Sequence, residues 1–99
     1  MKKPTKAQIA HENVSRLASI GIAALEYDHA RAEANAERRS LVAARKLWSE
    51  DPEGGDDTPA ECEQQYALSA RKRTNARSRL LRQIARYREW LAEVNGGAV

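Results

Sequence analysis

From Ile20 an apolar or small residue returns at every seventh position: Ile20, Tyr27, Ala34, Leu41, Trp48. Beside this line runs another with the same period, Ala24, Arg31, Arg38, Arg45. On an ideal helix a heptad line drifts by about 20° per repeat, so holding it against a partner favours left-handed supercoiling. Long Arg stems can flank such a seam and keep their charged heads in water. No proline interrupts Lys6–Asp51. Thr5 and Gln8 have the spacing of a capping box, in which hydroxyl and amide side chains each satisfy the other's backbone N–H. The pattern predicts a first helix from about residue 5 to 50, ~65 Å long. Gly21 is its weak point, costing about 1 kcal/mol relative to alanine. A tolerated or closely packed glycine leaves one helix, and a break leaves residues 5–20 as a separate short one. Continuity is expected.

Residues 51–58 form the clear interruption. Pro52 pushes Asp51 out of the helical region, and Gly54-Gly55 punctuates the chain. Thr58-Pro59-Ala60-Glu61 then reads as a second capping box with proline at the first helical position. Asp56, Asp57, Glu61 and Glu63 lie where a helix N-terminus favours negative charge. This acidic cluster is therefore expected to be a solvated turn and a well-capped helix start. It lacks the alternating oxygen ligands of a calcium loop. The second helix is predicted from about 59 to 95, ending at Asn95-Gly96-Gly97, a C-cap sequence. Its apolar face follows three-and-four spacing through Tyr66, Ala70, Ala76, Leu80, Ile84, Tyr87, Leu91 and Val94.

Two long helices with a short connection become antiparallel neighbours. The expected fold is all-α, a long coiled-coil-like helical hairpin filling residues 1–99 as a single domain. A turn near Gly54-Gly55 places Trp48 near Cys62, Leu41 near Ala70, Tyr27 near Ile84 and Ile20 near Leu91. The seam is then Ile20, Tyr27, Leu41 and Trp48 against Tyr66, Leu80, Ile84, Tyr87 and Leu91. Its large residues fall into a cluster near the turn (Leu41, Leu47, Trp48, Tyr66) and another towards the termini. Between them Ala30, Ala34 and Ala36 meet Arg73, Ala76 and Arg77. Two thin helices barely offset their chain entropy. Pairing of two hairpins into a dimeric four-helix bundle, or stabilisation by a partner, is the expected remedy.

Composition agrees with thin helices. Hydrophobic residues make up 41% of the chain, eighteen residues are Ala and none is Phe. No stretch alternates as a strand does. The single cysteine, Cys62, excludes an intramolecular disulfide. The basic start MKKPTK resembles a signal-peptide n-region, but the nearest apolar run, Leu17–Leu25, comes after Glu12 and is short for a membrane span. A cytoplasmic location is expected, and the Ala/Arg-rich composition suits a bacterial or phage protein.

Catalytic constellations are weak. Glu26, His29 and Glu33 share a helical spacing that could hold a metal, but an ordinary solvated face is the more economical reading. Cys62 lies between Glu61 and Glu63 with no nearby His, so a half-buried structural thiol is expected. No phosphate-binding glycine loop or nucleophile elbow is present. No enzyme activity, catalytic residue, metal, cofactor or small-molecule substrate is implied.

Charge is more informative. Residues 1–63 carry nine basic and twelve acidic side chains, and residues 64–99 carry eight basic and two acidic. All eight of those cations fall in Arg71–Arg88, a tract without an acid. On the helix, Arg71, Lys72, Arg79, Arg82 and Arg86 form a stripe opposite the seam, about 22 Å long. Arg73, Arg77 and Arg88 lie on one flank. Arginine suits bidentate contacts to carboxylate or phosphate. Glu26, Glu33 and Glu37 on the first helix offer self-neutralisation as the competing explanation. The expected function is a non-enzymatic interaction protein that docks its basic face on an acidic macromolecule, such as a small regulatory or inhibitory protein acting on a protein or a protein–nucleic-acid complex. Sequence-independent DNA or RNA binding by Arg71–Arg88 is the first alternative, and a structural coiled-coil role the second.

Overall fold

The computed structural model describes residues 3–52 and 58–96. It contains two helices, α1 (Lys6–Glu50) and α2 (Pro59–Val94), packed as an antiparallel hairpin within an envelope of 72 × 22 × 17 Å. Among the described residues there is no strand. The expected turn at Gly54-Gly55, with Asp56 and Asp57, lies outside the described residues, as does Gly97.

Both helix starts follow their local chemistry. The Thr5 amide donates to Gln8 Oε1 at 2.8 Å, and the Gln8 amide donates to Thr5 Oγ1 at 3.1 Å, so the capping box is closed. At α2 the Glu61 amide donates to Thr58 Oγ1 at 3.3 Å, the hydroxyl half of the second box, with Pro59 at the first helical position. α2 closes on Asn95 as its C-cap, and Gly96 follows with φ of 99°, a left-handed conformation that glycine adopts without a Cβ penalty. α1 runs unbroken through Gly21. A Cβ built there meets no atom within 4 Å, so this glycine serves neither as a break nor for close packing within the hairpin.

The heptad line of α1 faces α2 over most of its length. Ile20 and Tyr27 are half-buried, and Ala34 and Leu41 are buried. The companion line in the seam is not Ala24–Arg45. It is the line one residue earlier, on which Ala23, Ala30 and Ala44 are buried and Glu37 is half-buried. Small side chains there let the two backbones approach. On α2, Tyr66, Leu80, Ile84, Tyr87 and Leu91 are half-buried. The deepest α2 positions are Ser69, Ala76 and Trp90. With Gln83 these make a heptad line of their own, whose polar and small members hide it from a search for apolar residues. Among the described residues, no buried side-chain nitrogen or oxygen lacks a hydrogen-bond partner.

The register is slid from the expected one by about a helical turn. Arg45 meets Glu63, Glu33 meets Lys72 and Glu26 meets Arg79. This places the end of α1 opposite the start of α2, where Pro59 and Ala60 offer little surface. Trp48 is consequently 45% exposed and Leu47 is exposed, so the cluster expected near the turn reduces to Leu41 and Tyr66. Ala36, expected in the small-residue middle, is also exposed.

The cluster towards the termini is better built. Trp90 is only 7% exposed. Its ring stacks on Tyr87 with centroids 6.0 Å apart, and the Arg16 guanidinium lies 5.2 Å from its centroid. Glu12 holds that guanidinium through bonds from Nε and Nη2 at 3.1 and 2.9 Å. The Tyr87 hydroxyl donates to Asn13 Oδ1 at 2.6 Å. Aromatic stacking and a partly desolvated cation–π contact each contribute about 0.5–1.5 kcal/mol beyond area burial.

Candidate functional site

The hairpin sorts the basic residues onto two sides. On one side lies the stripe Arg71, Lys72, Arg79, Arg82 and Arg86, every member exposed. It runs beside the glutamates of α1. Arg79 Nη1 donates to Glu26 Oε2 at 2.9 Å, and Lys72 Nζ lies 3.9 Å from Glu33 Oε1. Each carboxylate lies seven residues from the other on α1, and each cation seven from the other on α2, so the pairing repeats with the heptad. These are exposed pairs, worth no more than about 1 kcal/mol apiece, but they neutralise part of the stripe. Glu26 and Glu33 are thereby directed to α2. Among the described residues no group of three His, Cys, Asp or Glu side chains could hold a metal ion. Cys62 is half-buried in the first turns of α2.

On the other side the helices bring like charges together. Arg31 from α1 and Arg73 and Arg77 from α2 line one groove of about 540 Å³. Tyr27, Asn35, Thr74, Ser78 and Leu81 complete it. Arg73 is half-buried, while Arg31 and Arg77 are exposed. Asp28 holds Arg31 at 2.9 Å. Among the described residues neither Arg73 nor Arg77 has an ion-pair partner. Their i,i+4 spacing alone costs a few tenths of a kcal/mol. The positive surface continues along α1, where Arg38, Arg39 and Lys46 gather with Asn35 and Val42 around an adjoining hollow of about 440 Å³. Arg88 is exposed further along α2.

Among the described residues Arg71, Arg82 and Arg86 of the stripe are likewise without an ion pair; what sets the flank apart is that Arg73 and Arg77 meet Arg31 of α1 in one groove. Arg38, Arg39 and Lys46 belong to the same surface, although α1 has no concentrated basic tract of the kind α2 carries. A signal for it existed in the sequence. Arg31, Arg38 and Arg45 repeat by sevens on α1, and antiparallel pairing sets that line against Arg77. Like charges facing across a seam are destabilising, and an external anion relieves them. Of that line only Arg45 meets an α2 acid, Glu63, at 2.8 Å.

The groove can bind; it holds no nucleophile–base pair. Guanidinium forks, an amide, two hydroxyls and a tyrosine suit planar anionic groups such as carboxylates or phosphates. Among the described residues, no helix is long and apolar enough to cross a membrane. No family model, curated protein or solved structure matches this chain.

Proposed function

We propose that this protein is a non-enzymatic helical interaction protein that docks its basic surface on an acidic macromolecular partner. The observation that carries this reading is the convergence of Arg31, Arg73 and Arg77 in one groove where, among the described residues, Asp28 is the one ion-pairing acid. Arginines that repel one another are a small cost to the isolated hairpin, and an anion seated between them removes it. The leading partner is an acidic protein surface. Tyr27, Leu81 and Val42 are interspersed with the arginines, and mixed aromatic, aliphatic and Arg content is characteristic of protein interfaces. A regulatory or inhibitory role fits this reading, because a rigid helical wall acts by occupying a surface, and the Ala/Arg-rich composition suits a bacterium or phage.

Direct nucleic-acid binding is the second reading, favoured by Ser78 and Asn35 beside the arginines, where each can donate to a phosphate. The two readings separate by titration with DNA and RNA at low and moderate salt. Nucleic-acid binding demands measurable low-salt affinity that falls steeply with salt. The protein reading expects no such affinity, and expects affinity capture from the native host to yield a protein whose binding is lost on Arg31→Glu with Arg77→Glu. Both positions are exposed, so helicity should be retained. Retention of both helicity and partner binding in that double variant sinks the groove as the docking site. Charge reversal at Arg79, Arg82 and Arg86 serves as the comparison and should weaken binding less.

A further inference from the structure

The outer face of α1 carries a second seam. His11, Val14, Ala18, Gly21, Leu25 and Asp28 recur at alternating three- and four-residue steps, and every one of them is exposed. They lie on the side of α1 away from Ile20, Ala23 and Tyr27. Val14 is 66% and Leu25 72% exposed, and Leu17 and Ile22 are exposed beside them. Inside the hairpin, by contrast, Leu41 and Trp90 are the only large buried side chains among the described residues. The N-terminal half of α1 thus places more aliphatic surface outside than in, in a pattern that fits another helix rather than water.

We infer that this face is a homodimer interface, in which α1 packs antiparallel against α1 of a second copy, giving a flat row of four helices with the two α1 helices at its centre. The occupant follows from the order of the residues. Run antiparallel, the series is its own complement. Val14 meets Leu25 of the second copy, Ala18 meets Gly21, and His11 meets Asp28. Aliphatic thus faces aliphatic, and a potential cation faces a carboxylate, twice by symmetry. The two smallest residues fall at the two-fold axis, where nothing else occupies the space next to Gly21. A Cβ-free position there permits close backbone approach. A contact from Ala7 to Ala32 is about 39 Å long. Such a length buries on the order of 800 Å² per copy, the area of a standard stable interface. The seam shares Asp28 with Arg31 of the basic groove, whose α2 arginines, Arg73 and Arg77, stay open in this arrangement.

Sedimentation equilibrium from low micromolar to hundreds of micromolar protein tests the pairing. The wild type should pass from monomer to dimer. Leu25→Glu, an exposed change that leaves the hairpin core intact, should weaken the dimer by about tenfold or more, with far-UV circular dichroism confirming helicity. A wild type that stays monomeric, or a folded Leu25→Glu variant with unaltered association, overturns the proposal. Orientation is read from spin labels on single cysteines in a Cys62→Ser background. Labels at Ala18 should lie close together, and labels at Ala32 should be separated by about 38 Å along the axis. Short distances at both positions mean parallel pairing and overturn the antiparallel seam.

Discussion

Replacing Trp90 with alanine should be among the most damaging single changes in this hairpin, and replacing Trp48 should be nearly silent. Trp90 is 7% exposed and Trp48 is 45% exposed. A tryptophan buries about 200 Å², so at ~25 cal/mol per Å² its transfer contributes about 5 kcal/mol at most. The denatured chain already covers part of that surface. The site also lies near the open end of the hairpin, where Arg16 and Tyr87 can settle into the space. Trp→Ala in a core costs about 3–5 kcal/mol, and the lower end applies here. The loss includes the ring stack with Tyr87 and the contact with Arg16, whose guanidinium Glu12 continues to hold.

The assay is urea unfolding followed by circular dichroism at one fixed protein concentration, because association would make apparent stability concentration-dependent. Trp48→Ala, treated identically, should cost less than about 1 kcal/mol, as surface changes do. Trp fluorescence adds an independent check: with Trp48 replaced by Tyr, the remaining Trp90 emission should be blue-shifted and should move red on unfolding. A Trp90→Ala cost below about 1 kcal/mol, or a larger cost at Trp48 than at Trp90, would refute the register described above. The second outcome would restore the heptad line that runs through Trp48 as the true seam.

Gly21→Ala should stabilise the monomeric hairpin by about 0.5–1 kcal/mol, since the position is helical, exposed and free of steric conflict; urea unfolding at high dilution measures it, and a loss of stability would show that the helix is not continuous there. Tyr87→Phe removes the 2.6 Å bond to Asn13 in a part-buried setting and should cost about 1 kcal/mol by the same assay. Neutralising Glu26 and Glu33 to Gln should change stability by less than about 1 kcal/mol. It should raise low-salt affinity for an acidic partner, because Arg79 and Lys72 lose their internal counterions; unchanged affinity in a binding titration would show that this face takes no part.

Local structure was legible in the sequence. Thr5 with Gln8, Thr58 with Pro59, and Asn95 with Gly96 mark helix boundaries through hydrogen bonds made within a few residues, so no tertiary information is needed to see them. The heptad through Ile20, Tyr27, Ala34 and Leu41 identified the face of α1 that meets α2, because helical period is a local property. The all-α antiparallel hairpin followed from these and a short connection.

Tertiary structure alone decided the register and the companion lines. Sliding α2 by a turn costs little local energy, so the alignment depends on how Ala23, Ala30, Ala44, Ser69 and Ala76 nest and on where Arg79, Lys72 and Arg45 find carboxylates. None of that is a periodic signal. Trp90 was hidden because it shares its line with Ser69, Ala76 and Gln83, and Trp48 misled because its heptad continues past the point where α2 supplies a partner. The basic residues were legible as a composition, but their division was not. Which cations are answered by Glu26 and Glu33, and which converge unanswered around Arg31, Arg73 and Arg77, depends on the side of the partner helix each one meets.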